Sequence, residues 1–580
     1  MSSEPGSISG VEPGQMRAAR YYRWASLLLF AVVGMLALHT LPDYGVSWDE
    51  YFRWKGGQQK LLYYQTLFAG GDARSVLPAE DFYPGFFDLN VAMLNEVLPF
   101  GLVALGHGMS LAFGLATVVA VWAIGRMLGG ERLGFWCAVF LLMIPRFYGH
   151  MFFNPKDIPF AAMMAWSLYF LLRWGRWLPK PRLGATLALG VVVGLTLATR
   201  IGGMVVLAYI AGYAGLILLR ELMCGGGFSR QWWLGVLRVA MHGLVIGGVA
   251  LLVLIPWWPM IHDNPLFRIV EAFQVVSKYP WNGMVLFGGD MILASDLPWT
   301  YLPVWLGISL PDFLLLALAG GLVLLLLRWR NAARTLVSPE GLPWAMVTVA
   351  TAFPLVYILV RHSVVYDGIR HVLFILPPLA CLGALAWVKV LDALAVGALL
   401  WRRLAVAVTA VLMLIQLGVL YALHPYEYVY FNQLSGGLEN KHGRYETEYW
   451  ATSTKEMLDW LNLNAPEGQT RVMVGRVFSP AAVLFRPERL ELVTTATGSD
   501  FFMGLTRGGQ DAAQDGEPVY VVERFGVPFG VIKDIRGYTP SSPDGEGAGP
   551  GTSATVEAVP PENATAAKER QAQGQPDSEQ

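Results

Sequence analysis

Long apolar stretches separated by short polar turns dominate residues 24–423. A helix that crosses a bilayer needs about 20 mostly apolar residues. Eleven stretches approach that length, near 24–42, 97–125, 132–150, 158–174, 183–199, 201–220, 233–258, 303–327, 342–361, 371–388 and 404–423. The pattern predicts a polytopic α-helical membrane protein with about 11 transmembrane helices. Past residue 423 the pattern changes. STKEMLDWLNL reads as a helix opened by a Ser453–Glu456 capping box. RVMVG, LELVT, VYVVE and FGVIKDI read as short strands. Residues 424–538 are thus expected to form a small α/β C-terminal domain outside the membrane. Residues 1–23 read as a flexible polar tail. Residues 539–580, rich in Pro, Gly, Ser, Ala and Glu, read as disordered, and Asn563 within them fits a glycosylation triplet.

Charge orients the spans. Arg17, Arg20 and Arg23, Arg126 and Arg132, Arg173 to Arg182, Arg220 and Arg230, Arg328 to Arg334, and Lys389 to Arg403 fall in alternate loops. Basic loops face the cytoplasm. The N-terminus is therefore expected inside and the C-terminal domain outside. The long first outer loop, 43–96, carries eight acids against four Lys and Arg. Its FRWKGGQQKLLYYQTLF segment reads as a helix that Tyr63, Tyr64 and Phe68 let lie in the interface rather than cross it. Trp257, Trp258, Trp299 and Tyr301 suit a headgroup belt.

Composition supports this reading and narrows it. Of 580 residues, 54% are hydrophobic and only 15% charged, against about 25% charged in soluble domains. A net charge of −1 gives no sign of nucleic-acid binding. Cys137, Cys224 and Cys381 have neither disulfide nor metal-ligand spacing. The polar N-terminus reads as preceding an uncleaved anchor rather than as a signal peptide.

The polar residues of interest gather on the expected outer side. Asp49 and Glu50 follow the first span. Arg146, His150, Lys156 and Asp157 lie in PRFYGHMFFNPKDIPF. Arg200 occupies a turn, LATRIGG. Asp312 starts a span, and Arg361, Asp367, Arg370 and His371 flank a later one. Carboxylates that activate a hydroxyl and cations that hold a phosphate suit glycosyl transfer from a lipid phosphate. Duller roles compete. Asp49 and Glu50 can be loop acids or caps, Asp157 can favour a helix dipole, and Lys156 can snorkel to headgroups. Arg146, beside Pro145, can mark a boundary. His150 and His371 can be satisfied interfacial histidines. An arginine at an outer turn such as Arg200 escapes the positive-inside account.

SWDE (Asp49, Glu50), NPKDIPF (Asp157), TRIGG (Arg200) and GIRHVLFILPPLA (Arg370) occur in that order on one side. Together they resemble the glycosyltransferase family 39 group across roughly residues 20–390. These are type C glycosyltransferases that include dolichyl-phosphate-mannose–protein mannosyltransferases and bacterial aminoarabinose transferases. The resemblance implies a hexosyltransferase-like enzyme using a polyprenyl-phosphate-linked sugar, inverting; short loops and the absence of disulfide spacing point to a bacterial inner membrane. It implies Asp49 as general base, with Glu50 orienting it or the acceptor. Asp157 would support the acceptor site, and Arg200 and Arg370 would neutralise the lipid phosphate. Relatives often have lysine where Arg200 stands; an arginine still grips phosphate in two-pronged fashion. Arg146, Lys156 and His371 are further substrate-binding candidates. The acceptor can be a protein, a lipid or an envelope glycan. No cofactor is expected, although the acids could hold a divalent ion. A transporter or flippase of lipid-linked sugar would favour midplane charges and repeats; a membrane scaffold would not need Asp49.

Overall fold

The computed structural model describes residues 13–538 apart from 79–80, 226, 278–280, 331–334, 336–337, 396–397, 467 and 476–477. The expected tails at 1–12 and 539–580, with Asn563, lie outside the described residues. Residues 13–23 are not tail but the opening turns of the first helix, α1 (Pro13–Thr40). Proline suits a helix start, where its missing N–H costs nothing.

The chain then lays α2 (Trp48–Phe68) and α3 (Phe86–Val97) across one end of the bundle. Two expected spans turn out to be the arms of one kinked helix, α4 (Gly101–Leu142). The turn sits at Gly129–Gly130, and Gly130 has φ 78°, a conformation that glycine adopts without penalty. The arms fold back closely. A Cβ on Gly134 would lie 2.8 Å from the Trp122 carbonyl, and one on Gly125 would lie 2.6 Å from Cys137 Sγ. The second arm stops at Leu142, short of the expected residue 150. Pro145 forces Ile144 into extended backbone and opens a separate short helix, α5 (Pro145–Phe153).

Helices α6 (Asp157–Gly175), α7 (Leu183–Thr199), α8 (Val205–Cys224) and α9 (Arg230–Leu254) follow, close to the expected boundaries. A short helix, α10 (Pro265–Ser277), and a hairpin of β1 (Met284–Phe287) and β2 (Asp290–Leu293) come next. The expected straight span 303–327 is broken. Helices α11 (Tyr301–Ser309) and α12 (Asp312–Leu327) meet at 113°, because Pro311 holds Leu310 extended. Helices α13 (Leu342–Arg361), α14 (Leu376–Ala395) and α15 (Leu399–Leu423) complete the bundle.

Seven described helices are long and apolar enough to cross a membrane, or eight if the broken pair counts as one span. The molecule is a multi-pass membrane protein; the folded-back α4 enters this tally once although it holds two arms, so the tally neither reaches nor excludes the eleven expected spans. The basic loops meet at one end, where Arg132 pairs with Asp392 and Arg176 donates to the Met127 carbonyl.

The C-terminal domain holds α16 (Thr454–Asn464), α17 (Phe478–Leu484) and five strands in the order β4-β3-β5-β7-β6. Strands β3 (Thr470–Val474), β4 (Leu490–Val493), β6 (Glu517–Arg524) and β7 (Val527–Asp534) match the expected runs. The sequence pattern missed central β5 (Phe501–Leu505), which is buried at every residue and so shows no alternation. The expected capping box does not form, because Glu456 instead accepts from Tyr426, Tyr520 and Arg524. A strap, residues 424–453, joins α15 to this domain and is buried along much of its length. Trp258 and Tyr301, expected at the headgroup level, are core residues, whereas Trp299 is exposed.

The close packing of the α4 arms is testable. Gly134→Val should overpack the turn and destabilise the protein by about 1–3 kcal/mol. Thermal unfolding in detergent measures this, and a wild-type melting temperature would contradict the contact.

Candidate active site

The end of the bundle away from the basic loops carries a buried ionic cluster built from segments far apart in sequence. Arg370 sits at its centre. Its Nη2 donates to Asp49 Oδ2 at 3.1 Å and its Nη1 to Asp367 Oδ2 at 2.9 Å. Its Nε lies 4.0 Å from Asp157 Oδ2 and makes no hydrogen bond. Asp157 pairs with Arg200, and Lys156 Nζ lies 3.6 Å from Asp49 Oδ2. Arg507, from the turn after β5, donates to Asp367 Oδ1 at 2.6 Å. Four cations thus pair with three carboxylates; a fourth acid, Glu446, acts on Arg507 from nearby, but burial pushes its carboxyl up, so positive charge outweighs negative in a largely buried place.

Local structure aims each group. Asp49 occupies the first turn of α2, whose N-terminus is closed by a Ser47–Glu50 capping box. Asn154 Oδ1 accepts from the Lys156 and Asp157 backbone N–H groups, at 3.1 and 2.8 Å, and fixes the start of α6. Asp367 has φ 56° and is followed by Gly368 at φ 68°. Aspartate tolerates this left-handed turn better than most residues. The turn is held by the Gly368 N–H donating to Tyr301 Oη at 3.0 Å. Aromatic walls cover the charges. The Trp450 and Tyr366 rings lie 4.8 and 5.2 Å from the Arg370 guanidinium, and Tyr83 lies 4.9 Å from both Lys156 and Arg53.

Burial pushes the Asp49 carboxyl up, but Lys156, Arg370, Arg53 and Arg200 outweigh it, so Asp49 lies well below the usual carboxylate range. The field also reaches Tyr83. Burial would raise its hydroxyl, yet Lys156, Arg200 and Arg53 hold it below its ordinary value. A raised acid, expected from desolvation alone, is found instead at Glu448 in the strap. Burial pushes Glu448 up to about 7, only partly offset by hydrogen bonds from Ser453.

Of the residues singled out in the sequence, Asp49, Lys156, Asp157, Arg200 and Arg370 converge. His371 lies beside them, with its ring 4.4 Å from that of Tyr366. Glu50 does not join the cluster. It is wholly buried, with Oε2 accepting from Ser47 N at 2.7 Å and Oε1 lying 3.0 Å from His107 Nε2. Its carboxylate closes the cap of the turn that carries Asp49. Arg146 also stays apart. It lies between the Trp305 and Phe431 rings and donates to Tyr430 O and Tyr449 Oη, so it braces the strap. His150 meets the same Tyr449 hydroxyl at 3.2 Å. Asp312 accepts from the Leu434 N–H and pairs with no cation of the cluster. Sequence reasoning missed Arg507, Trp450 and Tyr83. Arg507 had one signal: Thr506-Arg507-Gly508-Gly509 resembles the Thr199–Gly203 turn around Arg200. Among the described residues no three His, Cys, Asp or Glu gather closely enough to hold a metal ion.

No protein-family model matches the chain, and neither does any curated protein. Among solved structures, ArnT from Cupriavidus metallidurans bound to undecaprenyl phosphate is 18% identical, with a TM-score of 0.47 over 87% of this chain and 97% of that one. The oligosaccharyltransferase AglB from Archaeoglobus fulgidus, in complex with an inhibitory peptide and a dolichol-phosphate, is 12% identical. Its TM-score is 0.46, over 81% of this chain and 64% of that one. The arabinofuranosyltransferase AftD from Mycobacteria is 14% identical, with a TM-score of 0.31 over 77% of this chain and 35% of that one. All three neighbours are type C glycosyltransferases. Overlap at this level leaves the chemistry to be argued from the side chains themselves.

Glu448 gives a pH prediction. Its folded value, near 7, is above the ordinary 4.5. Its contribution to stability is therefore complete below pH 4.5 and disappears as pH rises through about 7. Glu448→Gln should raise the melting temperature at pH 8 relative to wild type more than at pH 5. Equal shifts at both pH values would contradict the burial of an ionisable group there.

Proposed function

We propose that this chain transfers a sugar from a polyprenyl-phosphate carrier to an acceptor hydroxyl at the outer face of the inner membrane. The observation that carries the reading is the convergence of Asp49, Lys156, Asp157, Arg200 and Arg370 in one buried cluster with surplus positive charge. Such a cluster suits an anionic leaving group. The family 39 resemblance in the same residues supports the assignment. In this reading the basic loops face the cytoplasm and the cluster faces the opposite side.

A shallow apolar groove beside the cluster suits the first isoprene units of a lipid carrier. Met164, Leu168, Tyr209, Ala350, Phe374 and Pro378 line it, between α6, α8, α13 and the start of α14. Phe160 connects groove to charge. Its ring lies 5.7 Å from the Arg200 guanidinium and 5.1 Å from the Phe374 ring. A polyprenyl tail in the groove would leave its phosphate beside Arg200, Lys156 and the free Nε of Arg370.

The chemistry follows from competition for cations. The donor phosphate engages Lys156, Arg200 and Arg370, which then hold Asp49 less tightly. The Asp49 carboxylate rises toward its ordinary basicity only when the donor is in place. It accepts the acceptor hydroxyl proton as that oxygen attacks the anomeric carbon from the face opposite the phosphate. The carbon–oxygen bond to phosphate breaks, and its electron pair leaves on the phosphate oxygen, neutralised by the guanidinium groups. The configuration inverts. A sugar phosphate is already activated, so the step needs no cofactor. The resemblance favours a hexosyl unit of the mannosyl type. The acceptor hydroxyl belongs to a protein, a lipid or an envelope glycan.

Asp49→Asn should fold normally and lower transfer from a polyprenyl-phosphate sugar at least about a hundredfold. Product analysis by mass spectrometry, with melting temperature as the folding control, tests this. Full-rate transfer by the folded variant would remove Asp49 from the reaction.

A further inference from the structure

The C-terminal domain looks separate in sequence, yet it reaches the centre of the cluster. Arg507 Nη2 donates to Asp367 Oδ1, and Asp367 Oδ2 accepts from Arg370 Nη1 at 2.9 Å. One carboxylate therefore bridges two guanidinium groups, one from the sheet domain and one from the membrane domain. The other arm of Arg507 donates to the Tyr449 carbonyl at 2.6 Å. That carbonyl also accepts from Trp48 Nε1 at 3.1 Å, and the Trp48 N–H donates to Trp450 O at 3.2 Å. Trp48 precedes Asp49, and the Trp450 ring lies against Arg370. Arg507, the strap and the N-terminus of α2 thus form one hydrogen-bonded unit around Arg370.

The charges explain why this matters. Asp367 is nearly inaccessible, and the strongest cation it can recruit from the membrane domain is Arg370. Without Arg507 its full negative charge would act on Arg370 in a low-dielectric setting, where Coulomb attraction is strong. Arg370 would then be drawn from Asp49, Asp157 and any bound phosphate. We propose that Arg507 is a positioning residue. It neutralises Asp367, so that Arg370 remains available to an anionic lipid phosphate. The C-terminal domain is on this account a part of the phosphate site. The inference rests on the donor-site reading of the cluster above.

The test is second-site suppression. Binding of undecaprenyl phosphate to the purified full-length chain in detergent is followed by quenching of tryptophan fluorescence, beside the melting temperature. Arg507→Gln should weaken binding about tenfold, a typical coupling within one charged network. Arg507→Lys, which can still pair with Asp367, should stay within about threefold of wild type. Adding Asp367→Asn to Arg507→Gln should restore affinity, because the uncompensated charge is gone while an acceptor for Arg370 Nη1 remains. Arg524→Gln is the control. Arg524 ties the sheet domain to Glu456 and the His424 carbonyl, away from the cluster, so its loss should lower the melting temperature without changing binding. If Arg507→Gln behaves like Arg524→Gln, or if Asp367→Asn fails to suppress it, Arg507 only docks the domain and the proposal is overturned. If Arg370→Gln binds as tightly as wild type, the donor-site reading itself fails, and the role of Arg507 fails with it.

Discussion

Burying Arg370 is the constraint on which the rest of the cluster depends. A guanidinium removed from water is costly unless carboxylates and aromatic faces replace the lost solvation. Here Asp49 and Asp367 each accept one arm, Asp157 lies just beyond a hydrogen bond, and Trp450 and Tyr366 cover the flanks. These partners come from the first outer helix, the start of α6, the loop before α14, and the strap. The fold must hold four separate segments in register to satisfy one side chain. That need accounts for the capped start of α2, the Asn154 bonds at the start of α6, and the left-handed turn at Asp367.

Much of this arrangement was legible in the sequence, because a bilayer makes polarity informative. Asp49, Asp157, Arg200 and Arg370 stand out as charges beside apolar runs on the side that positive-inside loops avoid. Residues that act through tertiary contact left weaker traces. Glu50 looks like a partner of Asp49, but the residue three positions before it, Ser47, gives its carboxylate a cap to close. Arg146 has the same outer-side signature as Arg370, yet its guanidinium meets carbonyl, hydroxyl and ring faces without a carboxylate. Nothing local in the sequence separates those two fates. The breaks at Pro145 and Pro311 show the complementary failure: hydropathy runs straight through residues where proline stops the helix.

The cluster at rest is neutralised in large part by its own carboxylates. Its cations are occupied by its own carboxylates, which keeps the buried charge tolerable without a ligand. An incoming phosphate would therefore exchange partners more than add them. On the proposed function this limits the affinity gained from charge alone and would make binding and base activation one event. It also explains why surplus positive charge, rather than a fully open cation, marks the site.

Chain order gives the strap another significance. Arg370 and Asp49 are synthesised long before Trp450 and Arg507, which lie beyond the last membrane helix. A nascent protein that had inserted every helix but not yet exported its C-terminal segment would possess the membrane scaffold without the wall over Arg370 or the neutraliser of Asp367. With the proposed orientation and function, competence for lipid phosphate would then arrive only with completed translocation. Premature, half-exported molecules would be silent in the bilayer.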